Sequence, residues 1–137
     1  MHASQLDTSL RNVLFVDAAT CAGCGALMAL ASEHLASATH IPPALLFYAG
    51  MSLFPIAGFM AFVASRAARS VPAVSFIAVG NVLWVAASLW LLVGGAIAPN
   101  GLGVAFIAVQ AAAVAALTAL EVRGAVSLRR DRTPVPA

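Results

Sequence analysis

The sequence predicts an all-α membrane protein, a single up-down bundle of four transmembrane helices with both termini in the cytoplasm. Of its 137 residues, 62% are hydrophobic and only 9% are charged, whereas a soluble domain has about 25% charged residues. So few charges cannot cover a globular surface in water, and hydrocarbon is therefore the expected solvent for most of the chain. Four long apolar segments and a one-sided distribution of arginines complete the prediction.

Each apolar segment has the length of about 20 residues that a membrane-spanning helix needs. The spans are predicted at residues 13–31, 44–65, 73–94 and 102–122. Prolines precede the second and third spans, and Gly94 and Gly95 follow the third, as expected for helix starts and ends. Residues 1–126 therefore form one transmembrane domain, and residues 127–137 are expected to be a mobile, basic, proline-containing cytoplasmic tail.

The first two spans each contain a residue that is unusual in a transmembrane helix. Asp17 lies inside the first apolar run, whose length and internal acid favour a membrane span over a cleaved signal peptide. Pro55 lies midway along the second span. Proline removes one backbone donor and clashes with the preceding turn, so we expect a helix kink at Pro55.

The arginines determine the predicted orientation, because cytoplasmic loops of membrane proteins carry an excess of positive charge. All seven basic residues are arginines, located before the first span, between the second and third, and after the fourth. Four helices in an up-down arrangement place these three regions on one side. The sequence thus predicts a multi-pass protein of the bacterial cytoplasmic (inner) membrane, in contact with the lipid bilayer and without a nucleic-acid-binding pattern.

Six polar or charged residues are the candidate functional residues, because each is costly in lipid and should face the bundle interior. They are Asp17, Asn81, Gln110, Glu121, Arg66 and Arg123. The two acids and the two arginines are expected near the cytoplasmic end, as an ion-pair lock between helices or as a proton or ion relay. The two amides are expected deeper, as interhelical hydrogen-bonding groups or as part of a polar binding cavity.

The first span also contains Cys21 and Cys24, which a helix places roughly on one face. The run of small residues around them favours close helix packing with buried, unreactive thiols. Two other interpretations stay open: thiolates that bind a soft metal ion, and a membrane thiol redox pair. Glu33, His34 and His40 in the following loop form a weaker candidate zinc set, since nothing in their spacing fixes a ligand geometry.

Several segments resemble a family of small bacterial four-span membrane proteins with no assigned function. The similarity is carried by residues 47–55 (FYAGMSLFP), 64–66, 80–86 (GNVLWVA) and 98–103 (APNGLG), and by Asp17, Val109, Gln110 and Glu121. That family typically has small or aliphatic residues in place of the two cysteines. Separately, the Cys21–Cys24 motif is similar to the first-helix cysteine pair of mer-type mercury carriers, although the neighbouring proline and a second cysteine pair are missing.

No motif indicates a chemical reaction or a cofactor, so the leading hypothesis is a non-enzymatic accessory, interaction or sensing subunit. Such a subunit would form a homo-oligomer or bind another membrane protein. The runner-up is a small transporter or ion or metal carrier that uses Asp17, Asn81, Gln110 and Glu121. A membrane thiol redox protein that uses Cys21 and Cys24 is the third. A transporter requires a cavity at the two amides, whereas a tightly packed, dry bundle there would exclude it.

Overall fold

The computed structural model describes residues 2–67 and 70–132, with side chains over residues 8–66 and 70–130. Within these residues the chain is helical, with no strand. The helices are α1 (His2–Leu30), α2 (Ser32–Thr39), α3 (Pro43–Phe62), α4 (Val71–Val93) and α5 (Gly101–Arg132), and a π-helical turn, Val63–Ala67, continues α3. Four segments are long and apolar enough to cross a membrane: Thr8–Leu30, Pro43–Arg66, Val71–Val93 and Gly101–Arg130. The predicted all-helical class, with four helices long and apolar enough to cross a membrane, is confirmed.

The first and last helices extend beyond their predicted spans. Helix α1 begins at His2, and α5 continues to Arg132, so residues 127–132 of the predicted tail are helical. The extension of α5 follows its buried face, which recurs every three or four residues at Ala111, Val114, Thr118, Glu121, Ala125 and Leu128. This periodicity continues past the last predicted span, so packing supports the additional helical turns. Residues 133–137 lie outside the described residues.

The predicted loop between the first two spans contains a short helix, α2. Glu33 lies in its first turn, where a negative charge is favourable to the helix dipole. The helix ends at His40, whose backbone is left-handed (φ 57°) and whose N–H donates to the Ala36 carbonyl at 2.9 Å. Pro42 then precedes α3, and Pro43 is the first residue of that helix. This chain reversal keeps α2 in contact with α3 and α5.

Helices α1 and α3 approach each other most closely at a pair of glycines. A Cβ atom on Gly50 would lie 2.7 Å from the backbone nitrogen of Ala29 and 2.8 Å from the carbonyl oxygen of Gly25. Such backbone contact requires residues without side chains at the crossing point. Gly25, beside Cys24, therefore serves close helix packing, whereas Gly23 has open space around its would-be Cβ atom.

Asn100 connects the end of α2 to the start of α5. Its side-chain oxygen accepts a hydrogen bond from the Gly103 N–H at 2.9 Å, which caps α5, and its amide nitrogen donates to the Ala38 carbonyl at 2.8 Å. Its backbone N–H also donates to Thr39 at 3.1 Å. A Cβ atom on Gly103 would collide with the Thr39 carbonyl oxygen, so glycine is required at this contact.

The helices pack in the order α3–α1–α5–α4 rather than in chain order. Helix α1 packs against both α3 and α5, and α4 packs against α5. The two edge helices, α3 and α4, make no extended contact with each other, although the rings of Phe59 and Phe76 meet edge to face at 5.7 Å between centroids. A cleft therefore remains between α3 and α4, with α1 and α5 as its floor.

Helix α3 passes through Pro55 without interruption. Three residues before the proline, the Ser52 hydroxyl donates to the Ala49 carbonyl at 2.7 Å, so it bonds to a carbonyl of the preceding turn. The hydrogen-bonding pattern changes only later, at the π-helical turn that begins at Val63. The kink at Pro55 stays a prediction, and the ring of Pro55 lines the cleft.

Candidate functional site

The cleft between α3 and α4 contains a cavity of about 310 Å³. Its walls include Pro55, Phe59 and Met60 of α3 and Phe76, Asn81 and Trp84 of α4, and its floor includes Cys21 and Cys24 of α1 and Gln110 and Ala113 of α5. A second cavity of about 200 Å³ adjoins it and shares Trp84 and Gln110. Together these two cavities form the α3–α4 cleft, whose size and apolar lining with few polar groups are typical of small-molecule sites.

Gln110 supplies the free hydrogen-bonding group of the cleft. Its side-chain oxygen lies 3.6 Å from the Cys24 sulfur, a weak contact. The amide nitrogen of Gln110 makes no hydrogen bond within the described residues, so its two N–H groups are available to a molecule in the cleft. The sequence paired Gln110 with Asn81 as the deeper amides. Both line the cleft, and the Gln110 side chain lies beside Cys24.

Behind the cleft, Asn81 joins two buried acids. Asp17 and Glu121 are both 0% exposed and Asn81 is 5% exposed. The amide nitrogen of Asn81 donates to Asp17 Oδ2 at 2.7 Å and to Glu121 Oε2 at 3.3 Å. Since one nitrogen reaches both, Asp17 and Glu121 are direct neighbours, and we call them the carboxyl pair. Three of the six predicted residues thus meet, from α1, α4 and α5.

No arginine contacts the carboxyl pair within the part of the chain that the structure describes. Arg66 and Arg123, which the sequence placed with the acids, are both exposed. Long arginine side chains reach the membrane surface at low cost, whereas burying a guanidinium among apolar helices is expensive. The expected ion-pair lock is therefore not formed. The oxygen Oε1 of Glu121 has no hydrogen-bonding partner among the described residues.

A carboxyl pair that is buried among apolar helices without a positively charged partner is energetically unusual. An ionised aspartate at the centre of a transmembrane helix costs about 2.5–3.5 kcal/mol, and a second negative charge beside it adds repulsion. Asn81 offers one amide group to the two carboxyl groups together. Groups that are expensive to bury and only partly compensated mark functional positions in membrane proteins.

The two cysteines are free and differ in their surroundings. Cys21 is buried, and its sulfur lies 3.8 Å from Asp17 Oδ1. Cys24 is half-buried, with its sulfur 3.7 Å from the Met28 sulfur. Both line the cleft. Among the described residues, no three or more His, Cys, Asp or Glu side chains are grouped as metal ligands, and Glu33, His34 and His40 are exposed.

Sequence reasoning missed the aromatic residues of the cleft, Phe59, Phe76 and Trp84. Helix α4 is apolar on all faces, so hydropathy does not distinguish its inward face from its lipid-facing surface. The only available signal was the spacing of Asn81 and Ser88, which share the inward face with the intervening Trp84. Residues at i, i+3 and i+7 lie on one side of a helix, so the polar positions identify the inward face.

Comparison with protein-family models, curated proteins and solved structures gave no match to the chain. The resemblance to the small four-span bacterial family, and that of the cysteine motif to mer-type carriers, therefore stay predictions. Any functional proposal must come from the geometry of the α3–α4 cleft and of the carboxyl pair behind it.

Proposed function

We propose that this protein is a small, non-enzymatic carrier of the bacterial cytoplasmic membrane that binds an uncharged, mostly apolar molecule in the α3–α4 cleft. The observation that carries the proposal is the cavity itself, which is lined by both Asn81 and Gln110. A transporter needs a cavity at these two amides. The four apolar helices support a multi-pass chain, and the distribution of arginines supports an up-down bundle with cytoplasmic termini.

The lining of the cleft defines the chemistry of the bound molecule. The residues around both cavities include no Asp, Glu, Arg or His, so a charged ligand would lose its hydration without compensation. Phe59, Phe76 and Trp84 provide flat apolar surfaces for rings or chains. Gln110 has two unused N–H groups, which suit a carbonyl or hydroxyl oxygen on the ligand.

Access to the cleft is expected from the lipid side. Helices α3 and α4 form the two edges of the helix row and do not pack along each other, so the cleft opens between them. An apolar molecule dissolved in the bilayer can reach such an opening without crossing water. Gln110 then offers it a hydrogen bond that lipid tails cannot provide, which is the expected source of selectivity.

Ligand binding can be measured with para-bromoacetophenone, an uncharged aromatic ketone whose bromine quenches tryptophan fluorescence. In the W90F variant, Trp84 is the only tryptophan, and it lines the cleft. Saturable quenching of Trp84 is expected in detergent. Para-bromotoluene lacks the carbonyl and should bind about 2- to 10-fold more weakly, the value of one hydrogen bond. The Q110L substitution should remove this difference.

A pair of matched variants separates the cleft from the lipid-facing surface. Ala113 lines the cleft, whereas Ala115 on the same helix is exposed and does not. In the W90F background, A113F should abolish saturable quenching, and A115F should leave it unchanged. Linear quenching of equal strength in both variants would mean that the probe only partitions into detergent, and the carrier proposal would then be wrong.

An accessory or interaction role is the second candidate, on one observation about α4. This helix packs mainly on α5. Only 22% of its most apolar stretch is buried within the chain, compared with 39% of that of α1. The surface left free on α4 could contact a second copy or another membrane protein. Mild detergent extraction followed by mass measurement should then show an oligomer or a co-purifying partner, whereas a monomer in several detergents would argue against this role.

A further inference from the structure

The carboxyl pair is more than a packing feature, because it lacks the partners that a structural ion pair would have. Its two acids come from α1 and α5 and are fully buried, and Asn81 of α4 is their shared donor. A third contact, from the Cys21 sulfur to Asp17 at 3.8 Å, is weak. Oxygen Oε1 of Glu121 has no partner and no solvent contact.

Among the side chains that the structure describes, no positive charge from a neighbouring helix contacts the pair. Within residues 8–30 of α1, Cys21 is the titratable group that contacts the pair, and Arg11 is exposed nearly two turns from Asp17. Arg123 of α5 and Arg66 of the π-helical turn are exposed as well. Helix α4 has no titratable side chain. Helix α3 has one, Tyr48, which lies near the start of that helix, twelve residues before Met60.

The donor set suits a proton better than a metal ion. Magnesium and calcium take about six or more oxygen ligands, usually including water, whereas this site offers the pair and one amide in a closed space. A proton needs one free oxygen lone pair with an acceptor near it. Glu121 Oε1 supplies the free lone pair, and the neighbouring Asp17 carboxyl supplies acceptors.

We propose that Asp17, Asn81 and Glu121 form a proton-binding site in which the carboxyl pair holds one proton at neutral pH. A hydronium ion of the surrounding water gives up the proton and becomes water. The proton forms an O–H bond on one carboxylate oxygen, and this O–H donates to the other carboxylate. The charge of the pair falls from two negative charges to one, and no group is oxidised or reduced. Two adjacent buried acids that share one proton avoid the repulsion that two anions would suffer.

The proton site adjoins the α3–α4 cleft. Asn81 and Cys21 both line the cleft and both contact the carboxyl pair, so a molecule that moves either side chain changes the hydrogen bonds of the pair. Proton binding and cleft occupancy are therefore linked. This link rests on the proposed carrier function, whereas the proton site itself does not require a ligand in the cleft.

Infrared spectroscopy tests the site on the purified full chain in an ester-free detergent. A protonated carboxylic acid has a C=O stretching band that an ionised carboxylate lacks. The wild-type chain at neutral pH should show this band from a buried acid, and it should disappear at strongly alkaline pH. The D17N/E121Q double variant should lose the band entirely, whereas E33Q, which removes an exposed acid of α2, should keep it.

A second readout uses the wild-type chain and therefore does not require a variant to fold. Isotope-labelled aspartate and glutamate must shift the C=O band if it comes from the carboxyl pair. A wild-type spectrum without a protonated-acid band at neutral pH would overturn the proposal. So would a band that survives in the folded double variant. Since no ligand is added, failure here differs from failure of the quenching experiment, which tests only the cleft.

Discussion

Asn81 connects the two features of the interior, because its amide holds the carboxyl pair while its side chain lines the cleft. A buried acceptor that loses its donor bears the full cost of its desolvation, which exceeds the value of the bond itself. The same reasoning separates Asn81 from Ser88 on the same helix, whose hydroxyl donates at 2.8 Å to the Trp84 carbonyl of its own helix. Asn81 therefore contributes to tertiary structure, and Ser88 only to local structure.

Replacing Asn81 by leucine is expected to destabilise the bundle by about 1–3 kcal/mol, because both acids lose their donor. The S88A variant should change stability by no more than about 0.5 kcal/mol, since it removes only a bond within one helix. Unfolding of the purified chain by sodium dodecyl sulfate, followed by circular dichroism, measures both. Equal losses in the two variants would show that Asn81 does not support the pair.

The cysteines should differ in reactivity as they differ in exposure. Cys24 is half-buried in the cleft, whereas Cys21 is buried against Asp17. In single-cysteine variants, a small membrane-permeant maleimide should label Cys24 (in C21A) about tenfold faster than Cys21 (in C24A), because access and thiolate character control the reaction. Labelling rates are read by mass spectrometry, and full labelling of both after denaturation is the control. Faster labelling of Cys21 would contradict the described packing.

At the scale of the helices, the sequence predicted what depends on local composition. Four spans, the close approach at the small residues of α1, and the buried polar residues Asp17, Asn81 and Glu121 follow from the cost of polar groups in lipid. Helix α2 was missed because its residues are small and polar and its existence depends on contacts with α3 and α5. The cleft was missed because uniformly apolar helices do not reveal which neighbour each face meets.

The glycine contact between α1 and α3 gives a prediction with an internal control. In G50A the new methyl group meets the backbone of α1, so a loss of about 1–3 kcal/mol is expected from overpacking. Gly58 lies on the same helix with open space around its would-be Cβ atom, so G58A should be neutral or stabilising by up to about 1 kcal/mol. Thermal unfolding in detergent compares the two, and similar stabilities would mean that the close crossing is absent.

At the scale of the whole molecule, orientation is the prediction that contacts between helices cannot decide. Helices α1 and α5 are antiparallel, because Leu10 lies against Gly124 and Cys24 against Gln110. Those contacts are identical whichever side of the membrane holds the termini. Only the arginines, which respond to the asymmetry of the cell, distinguish the two orientations.

Cysteine accessibility in intact cells measures this orientation. In a C21A/C24A background, S9C near the amino terminus and S37C in α2 introduce exposed thiols at opposite ends of the chain's helices. A charged, membrane-impermeant maleimide should label S37C in intact cells and S9C only after the membrane is permeabilised. The reverse pattern would place the termini outside the cell and contradict the arginine rule for this protein.

The spatial order α3–α1–α5–α4 also has a consequence for biogenesis. Helix α1 is synthesised before the other helices described here, yet one of its two long neighbours, α5, is synthesised after α3 and α4. Until α5 is inserted, Asp17 has Asn81 as its main hydrogen-bond donor, and Glu121 is absent from the carboxyl pair. Polar groups without partners are costly in lipid, so we expect a chain truncated before α5 to be less stable than the full chain. Helix α5 thus completes the surroundings of Asp17 in α1.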